Sequence, residues 1–150
     1  MKLRWAALAV VLALSALMPR GAISQASQPP SGPHRGGSLG QNYPNPFNPD
    51  TRFPLFVGDS ASCTGERHRV SIRIYNLLAQ VVAIPVIQGG SSTVSGGEPI
   101  ENLELECGAY TAYWNGKVLG TTREAPSGVY LYRLEVDGRT VYVRKMFFGK

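Results

Sequence analysis

Strict two-residue alternation, with no stretch of helical period beyond the first twenty residues to compete with it, most narrows what this chain can fold into. Val70, Ile72 and Ile74 alternate with Ser71, Arg73 and Tyr75, which makes one face of an extended segment apolar and the other polar. Residues 129–136 and 139–148 flank Asp137-Gly138, a pair that closes a two-residue type I′ hairpin because both positions accept positive φ. Phe53, Leu55 and Val57 alternate with Arg52, Pro54 and Phe56; Pro54 lacks a ladder donor, so this strand is expected at a sheet edge. Residues 81–87, Val-Val-Ala-Ile-Pro-Val-Ile, read as one further strand interrupted by proline. Leu103, Leu105 and Cys107 alternate with Glu104 and Glu106, and residues 110–114 continue as a strand to the turn Asn115-Gly116. Gly 17 and Pro 11 make 28 of 150 residues, a density that suits many short strands with turns between them. The expectation is an all-β fold, an antiparallel immunoglobulin-like β-sandwich of about seven strands. Its inward face should carry Val70, Ile72, Ile74, Leu103, Leu105 and Trp114.

The N-terminus reads differently. Lys2 and Arg4 precede thirteen apolar or small residues, Trp5 to Leu17, which Met18-Pro19-Arg20 ends. Such a run is too short for a bilayer span and fits a secretory signal peptide cut after Ser24 or Ala26; an uncleaved membrane anchor is the competing reading. With residues 1–26 assigned to the signal peptide, no transmembrane segment is expected in the mature chain. The formal charge of +5 loses Lys2, Arg4 and Arg20 with it, leaving 12 basic against 10 acidic side chains. That near balance removes the main support for a nucleic-acid partner. Export also governs the two cysteines: in an oxidising compartment Cys63 and Cys107, 44 positions apart, should form a disulfide, against the alternative of free or metal-binding thiols.

Residues 27–41 are rich in Gly, Pro and Ser and read as a flexible, disordered linker. The folded domain is placed at 42–150. It opens on Asn42-Tyr43-Pro44-Asn45-Pro46-Phe47-Asn48-Pro49, where three prolines in six positions restrict the backbone and Tyr43 and Phe47 offer rings for packing. A stiff lead-in docked on the sandwich is expected, rather than a spacer.

Little in the sequence points to catalysis. His34 falls in the linker and His68 in a charged turn, neither with a nucleophile and an orienting carboxylate nearby in sequence; both read as exposed polar residues. Glu98, Glu101, Glu104 and Glu106 crowd into nine residues, but strand alternation puts Glu104 and Glu106 on one face, opposite Leu103 and Leu105, which reads as a solvated face. Tyr75, Tyr110, Tyr113, Tyr130, Tyr132 and Tyr142 read as cross-strand packing partners before a sugar-binding platform. No catalytic residue, metal site or cofactor is expected.

Five segments in order carry a resemblance: residues 41–49 followed by Thr51; Val70-Ser71-Ile72-Arg73-Ile74-Tyr75-Asn76; Trp114-Asn115-Gly116; Ser127-Gly128-Val129-Tyr130-Leu131-Tyr132-Arg133-Leu134; and Lys145-Met146-Phe147-Phe148-Gly149-Lys150. Together they resemble the type A C-terminal sorting domain of the type IX secretion system, and the layout is similar to the immunoglobulin-like domain of flagellar hook-capping proteins. The resemblance covers about residues 39–150. It implies a non-enzymatic β-sandwich at the C-terminus of exported cargo, carried from the periplasm to the cell surface or beyond by secretion machinery at the outer membrane. Asn42, Pro44, Asn45, Pro46, Phe47, Asn48, Pro49, Gly128, Tyr130, Lys145 and Lys150 match its motifs. Members usually carry a large passenger before this domain, whereas here residues 27–40 alone separate it from the expected signal peptide. Ala79 stands where the family has glycine, and the 88–99 loop and the cysteines are additions. The alternative is a stand-alone structural or adhesive sandwich that binds an envelope protein or glycan. On the sorting reading, the terminal strand presents Arg144, Lys145 and Lys150 on an exposed edge to a receptor. Removal of residues 145–150 is then expected to leave a folded protein in the periplasm.

Overall fold

The computed structural model describes residues 36–89 and 94–150; the signal-peptide assignment at 1–26, most of the 27–41 linker and His34 lie outside the described residues. Nine strands follow in chain order: β1 Gly37–Leu39, β2 Thr51–Val57, β3 Arg67–Tyr75, β4 Val81–Ala83, β5 Val86–Ile87, β6 Leu103–Glu106, β7 Gly108–Trp114, β8 Gly128–Val136 and β9 Arg139–Phe148. No helix occurs among the described residues. One sheet runs β1-β2-β7-β5; the other runs β4-β3-β8-β9, with β6 also on β3. All strand pairings are antiparallel. Val70 pairs with both Leu103 and Val136, and Ile74 with both Ala83 and Tyr132. So β8 runs along one edge of β3, while β6 and β4 share the other.

Alternation becomes burial directly. Thr51, Phe53, Leu55 and Val57 of β2 are buried, as are Tyr130, Tyr132, Leu134 and Val136 of β8, and the two inner faces meet where the Phe53 and Tyr132 rings lie 4.7 Å apart. Burial of each such side chain contributes about 1.5–3 kcal/mol. Val70, Ile72, Ile74, Leu105 and Trp114 face inward as expected; Leu103 is only half buried and packs against the core from its margin. Ser71 is buried too, because its Oγ accepts the Asn102 N–H at 2.8 Å.

The structure corrects four expectations. Strand β2 is not an edge strand, since β1 covers it. Pro54 is tolerated there because its missing N–H lies on the β1 side, where the Gly40 carbonyl takes the Tyr132 hydroxyl instead, at 2.9 Å. Strand β1 itself falls within the 27–41 segment read as linker, with Leu39 fully buried; a single apolar residue among glycines gave no periodic signal. Residues 81–87 form two strands, not one, and these belong to different sheets: β4 pairs with β3 and β5 with β7, the chain crossing over at Ile84-Pro85. Likewise β6 and β7 lie in different sheets, with Cys107 at the corner between them.

That corner is stapled by the expected Cys63–Cys107 disulfide, with Cα atoms 5.6 Å apart. It ties the 58–66 loop after β2 to the place where the chain changes sheets. In the loop-entropy model a closure of this length stabilises the fold by about 4 kcal/mol. The hairpin turn is also as expected: Asp137 and Gly138 both have positive φ, 52° and 75°.

Candidate functional site

Residues 42–49 contribute few backbone donors, because three of them are prolines, and those of Asn42, Tyr43 and Phe47 are spent on docking. The Tyr43–Pro44, Asn45–Pro46 and Asn48–Pro49 peptides are cis. Tyr43 exchanges two backbone hydrogen bonds of 2.9 Å with Arg52. Asn42 is buried and fully used: its N–H donates to the Tyr132 hydroxyl at 3.0 Å, and its Nδ2 donates to Thr51 Oγ1 and to the Pro44 carbonyl, both at 3.0 Å. Burial pushes the Tyr132 phenol up to about 12, so it stays a neutral donor and acceptor between Asn42 and Gly40.

Phe47 then enters the core. Its ring stacks on Phe148 at 4.6 Å and tilts against Trp114 at 5.3 Å, and Tyr130 meets Trp114 edge-on at 5.7 Å. The same segment lies along the outer edge of β9. The Phe47 N–H donates to the Phe147 carbonyl at 3.0 Å, the Gly149 N–H donates to the Phe47 carbonyl at 3.1 Å, and the Phe147 N–H donates to Asn45 Oδ1 at 2.9 Å. Gln41 Nε2 reaches the Lys145 carbonyl at 3.1 Å. Gly116 completes the arrangement at φ 75°, where a Cβ would collide with the Pro49 carbonyl oxygen. Segments as much as 104 residues apart thus meet along the end of β9.

The matched motif residues divide into two sets. Asn42, Phe47 and Tyr130 are buried; Pro44, Asn45, Pro46, Asn48, Pro49, Gly128, Lys145 and Lys150 are exposed. The Tyr130 hydroxyl donates to the Pro126 carbonyl. Tyr43, expected to pack, is 49% exposed. The basic end differs from expectation as well. Lys150 is paired with Glu124 at 2.7 Å, and Arg144 is half buried with its Nε on the Leu39 carbonyl. Lys145 is exposed over the Phe147 ring, at 5.6 Å. From Lys145 to Gly149 the edge of β9 is not open to a receptor strand, because residues 41–47 already occupy it. The six-residue truncation is also not a neutral cut, since Met146 and Phe148 belong to the core.

A second group of side chains lies around the disulfide, and here the reading of His68 as an isolated surface residue is overturned. His68 is half buried, and its Nδ1–H donates to Asp137 Oδ2 at 2.7 Å, a carboxylate being an acceptor only. The Arg69 N–H adds a bond of 2.9 Å to Asp137 Oδ1. Slight burial works to raise the Asp137 carboxyl, but these bonds and the neighbouring positive charge hold it below its ordinary value. No local signal reveals this pair, whose members stand 69 positions apart.

Glu104 and Glu106 lie directly across from Arg69 and Arg67 and pair with them at 3.3 Å, a solvated ladder. Tyr75, Tyr113 and Tyr142 each lie under an arginine, while Tyr130 and Tyr132 are core residues, so these rings do not form one platform. Among the described residues no group of three or more His, Cys, Asp and Glu is placed to hold a metal ion.

No family model matches this chain, and no curated protein does. Among solved structures it is similar to the Pseudomonas fluorescens alkylpurine DNA glycosylase AlkC bound to DNA containing an abasic site analog, at 12% identity and a TM-score of 0.41. The match covers 76% of this chain and 30% of that one. A likeness of this size carries no argument about fold or function.

Proposed function

We propose that this chain is a non-enzymatic exported domain of the type IX sorting kind, an immunoglobulin-like β-sandwich led by a signal peptide to the periplasm and then delivered to the cell surface. One observation supports the reading: four of the five sequence segments that give the resemblance, spread over residues 41–150, meet around the terminal strand, while residues 70–76 lie one strand further in, on β3. Residues 42–49 complete the edge of β9, Trp114 and Gly116 support them, and Tyr130 backs the aromatic cluster. The side chains brought together are rings, amides and prolines, chemistry suited to being recognised rather than to turning over a substrate. A disulfide in so small a domain supports an oxidising destination. A receptor in the outer-membrane machinery then reads a composite surface of Tyr43, Asn48 and Lys145, which exists only when the terminal strand is folded and strapped.

The exposed Leu77 and Leu78, at 69% and 78% exposure, favour a second reading, an adhesive sandwich that binds an envelope protein. Expression of the full chain in a host with type IX machinery and in a matched host lacking it separates the two. Sorting predicts protease-accessible protein at the surface of the first and periplasmic retention in the second. Equal distribution in both hosts contradicts sorting and favours the adhesive reading.

A further inference from the structure

Gly58 closely approaches both the disulfide and His68. A Cβ built on Gly58 would lie 2.8 Å from Cys107 Sγ and 3.2 Å from His68 Nε2, so those two atoms are at most 6.0 Å apart. His68 Nε2 is shielded from solvent and has no hydrogen-bond partner among the described residues; the nearest carboxylate, Glu66, is 3.9 Å away. The opposite ring nitrogen is fixed by Asp137 at 2.7 Å. The order carboxylate, imidazole, sulfur is one in which a protonated imidazole stabilises a thiolate, since an opposite charge within about 4–6 Å favours the ionised form. The two sulfurs are not equivalent, because Cys63 is exposed and Cys107 is half buried beside the imidazole.

We propose that Cys63–Cys107 is an exchange site for small thiols, with Cys63 the sulfur attacked and Cys107 the leaving group, held as thiolate by His68. A thiolate RS⁻ attacks Cys63 Sγ. The new RS–S bond forms as the Cys63–Cys107 bond breaks, and the electron pair leaves on Cys107 Sγ, which pairs with the imidazolium or takes its Nε2 proton. A second RS⁻ then displaces Cys63 as its thiolate and departs as RSSR, so two thiols are oxidised and the cystine is reduced. Reduction releases the 58–66 loop from the corner where the chain changes sheets.

The charged groups near the ring are Glu66 ahead of β3, Asp137 in the β8–β9 turn, and Glu104 and Glu106 on β6, the last two engaged by Arg69 and Arg67. Because the stabilising charge is the imidazolium, removing the imidazole removes the effect.

The test uses the oxidised full chain with glutathione as the thiol, its rate divided by the glutathione thiolate concentration at each pH. The parent should react about tenfold faster than His68→Gln near pH 5. Asp137→Asn keeps a residue suited to the type I′ turn and should lose about threefold, so it decides the matter if His68→Gln does not fold. After rapid alkylation, peptide mapping should find glutathione on Cys63 and the alkyl group on Cys107. Equal rates at all pH values, or glutathione on Cys107, would overturn the proposal. The purified chain suffices, so the result stands independently of sorting.

Discussion

Phe47→Ala lowers the unfolding free energy by about 3–5 kcal/mol, the cost of emptying a buried aromatic site. Phe47 lies outside every strand, yet it is buried, stacked on Phe148 and against Trp114. Its backbone also makes two hydrogen bonds to the end of β9, so loss of the ring should loosen the whole strap. Denaturant unfolding measures the first effect, and faster amide exchange at Phe147 and Gly149 measures the second. A loss under about 1 kcal/mol would mean that residues 42–49 are a spacer lying on the surface.

Removal of residues 145–150 has the larger effect and is expected to unfold the domain. It deletes Met146 and Phe148 from the core, strips β8 of the partners of Gly128 to Leu131, and leaves Phe47 with nothing to stack on. Two buried large side chains cost about 5 kcal/mol or more, comparable with the whole stability of a domain this size. The truncated chain should lose cooperative thermal unfolding. A cooperative transition close to that of the parent would show that the terminal segment is an appendage. The truncation therefore cannot serve as a test of sorting: an unfolded product stays in the periplasm whatever the receptor reads.

What was legible in the sequence is what depends on neighbours along the chain. Val70, Ile72 and Ile74 identify their own buried face, and Asp137-Gly138 identifies the hairpin turn, because each is a local steric or hydrophobic fact; the register that the turn sets holds for Val136 with Arg139 and Glu135 with Thr140 and shifts by one residue from Leu134 onward. The choice of sheet is not local. The 81–87 run and the 103–114 run each look continuous, yet each crosses between sheets, at Ile84-Pro85 and at Cys107. Periodicity reports that a face is buried but not what buries it. Pro54 misled for the same reason, since a proline is excluded only where its nitrogen faces a carbonyl that has no other donor, and Tyr132 supplies that donor to Gly40. Strand β1 was invisible because three residues around one leucine carry no period. At the candidate site, the aromatic pair in residues 42–49 signalled docking but not its target, and Tyr43 remained outside. The His68–Asp137 pair is purely tertiary: β3 and the β8–β9 turn meet only after the sheet forms.

Recognition of the strapped terminal strand is tested most directly by the surface yield of the Tyr43→Ala/Lys145→Glu variant in a host with type IX machinery. Both side chains are exposed, so unfolding stability should change by less than about 1 kcal/mol, which denaturant titration of the purified protein checks. Sorting through this surface predicts that the variant accumulates in the periplasm, folded and with Cys63–Cys107 intact, while the parent becomes accessible to added protease at the cell surface. Surface delivery of the folded variant at the parent's yield would contradict it.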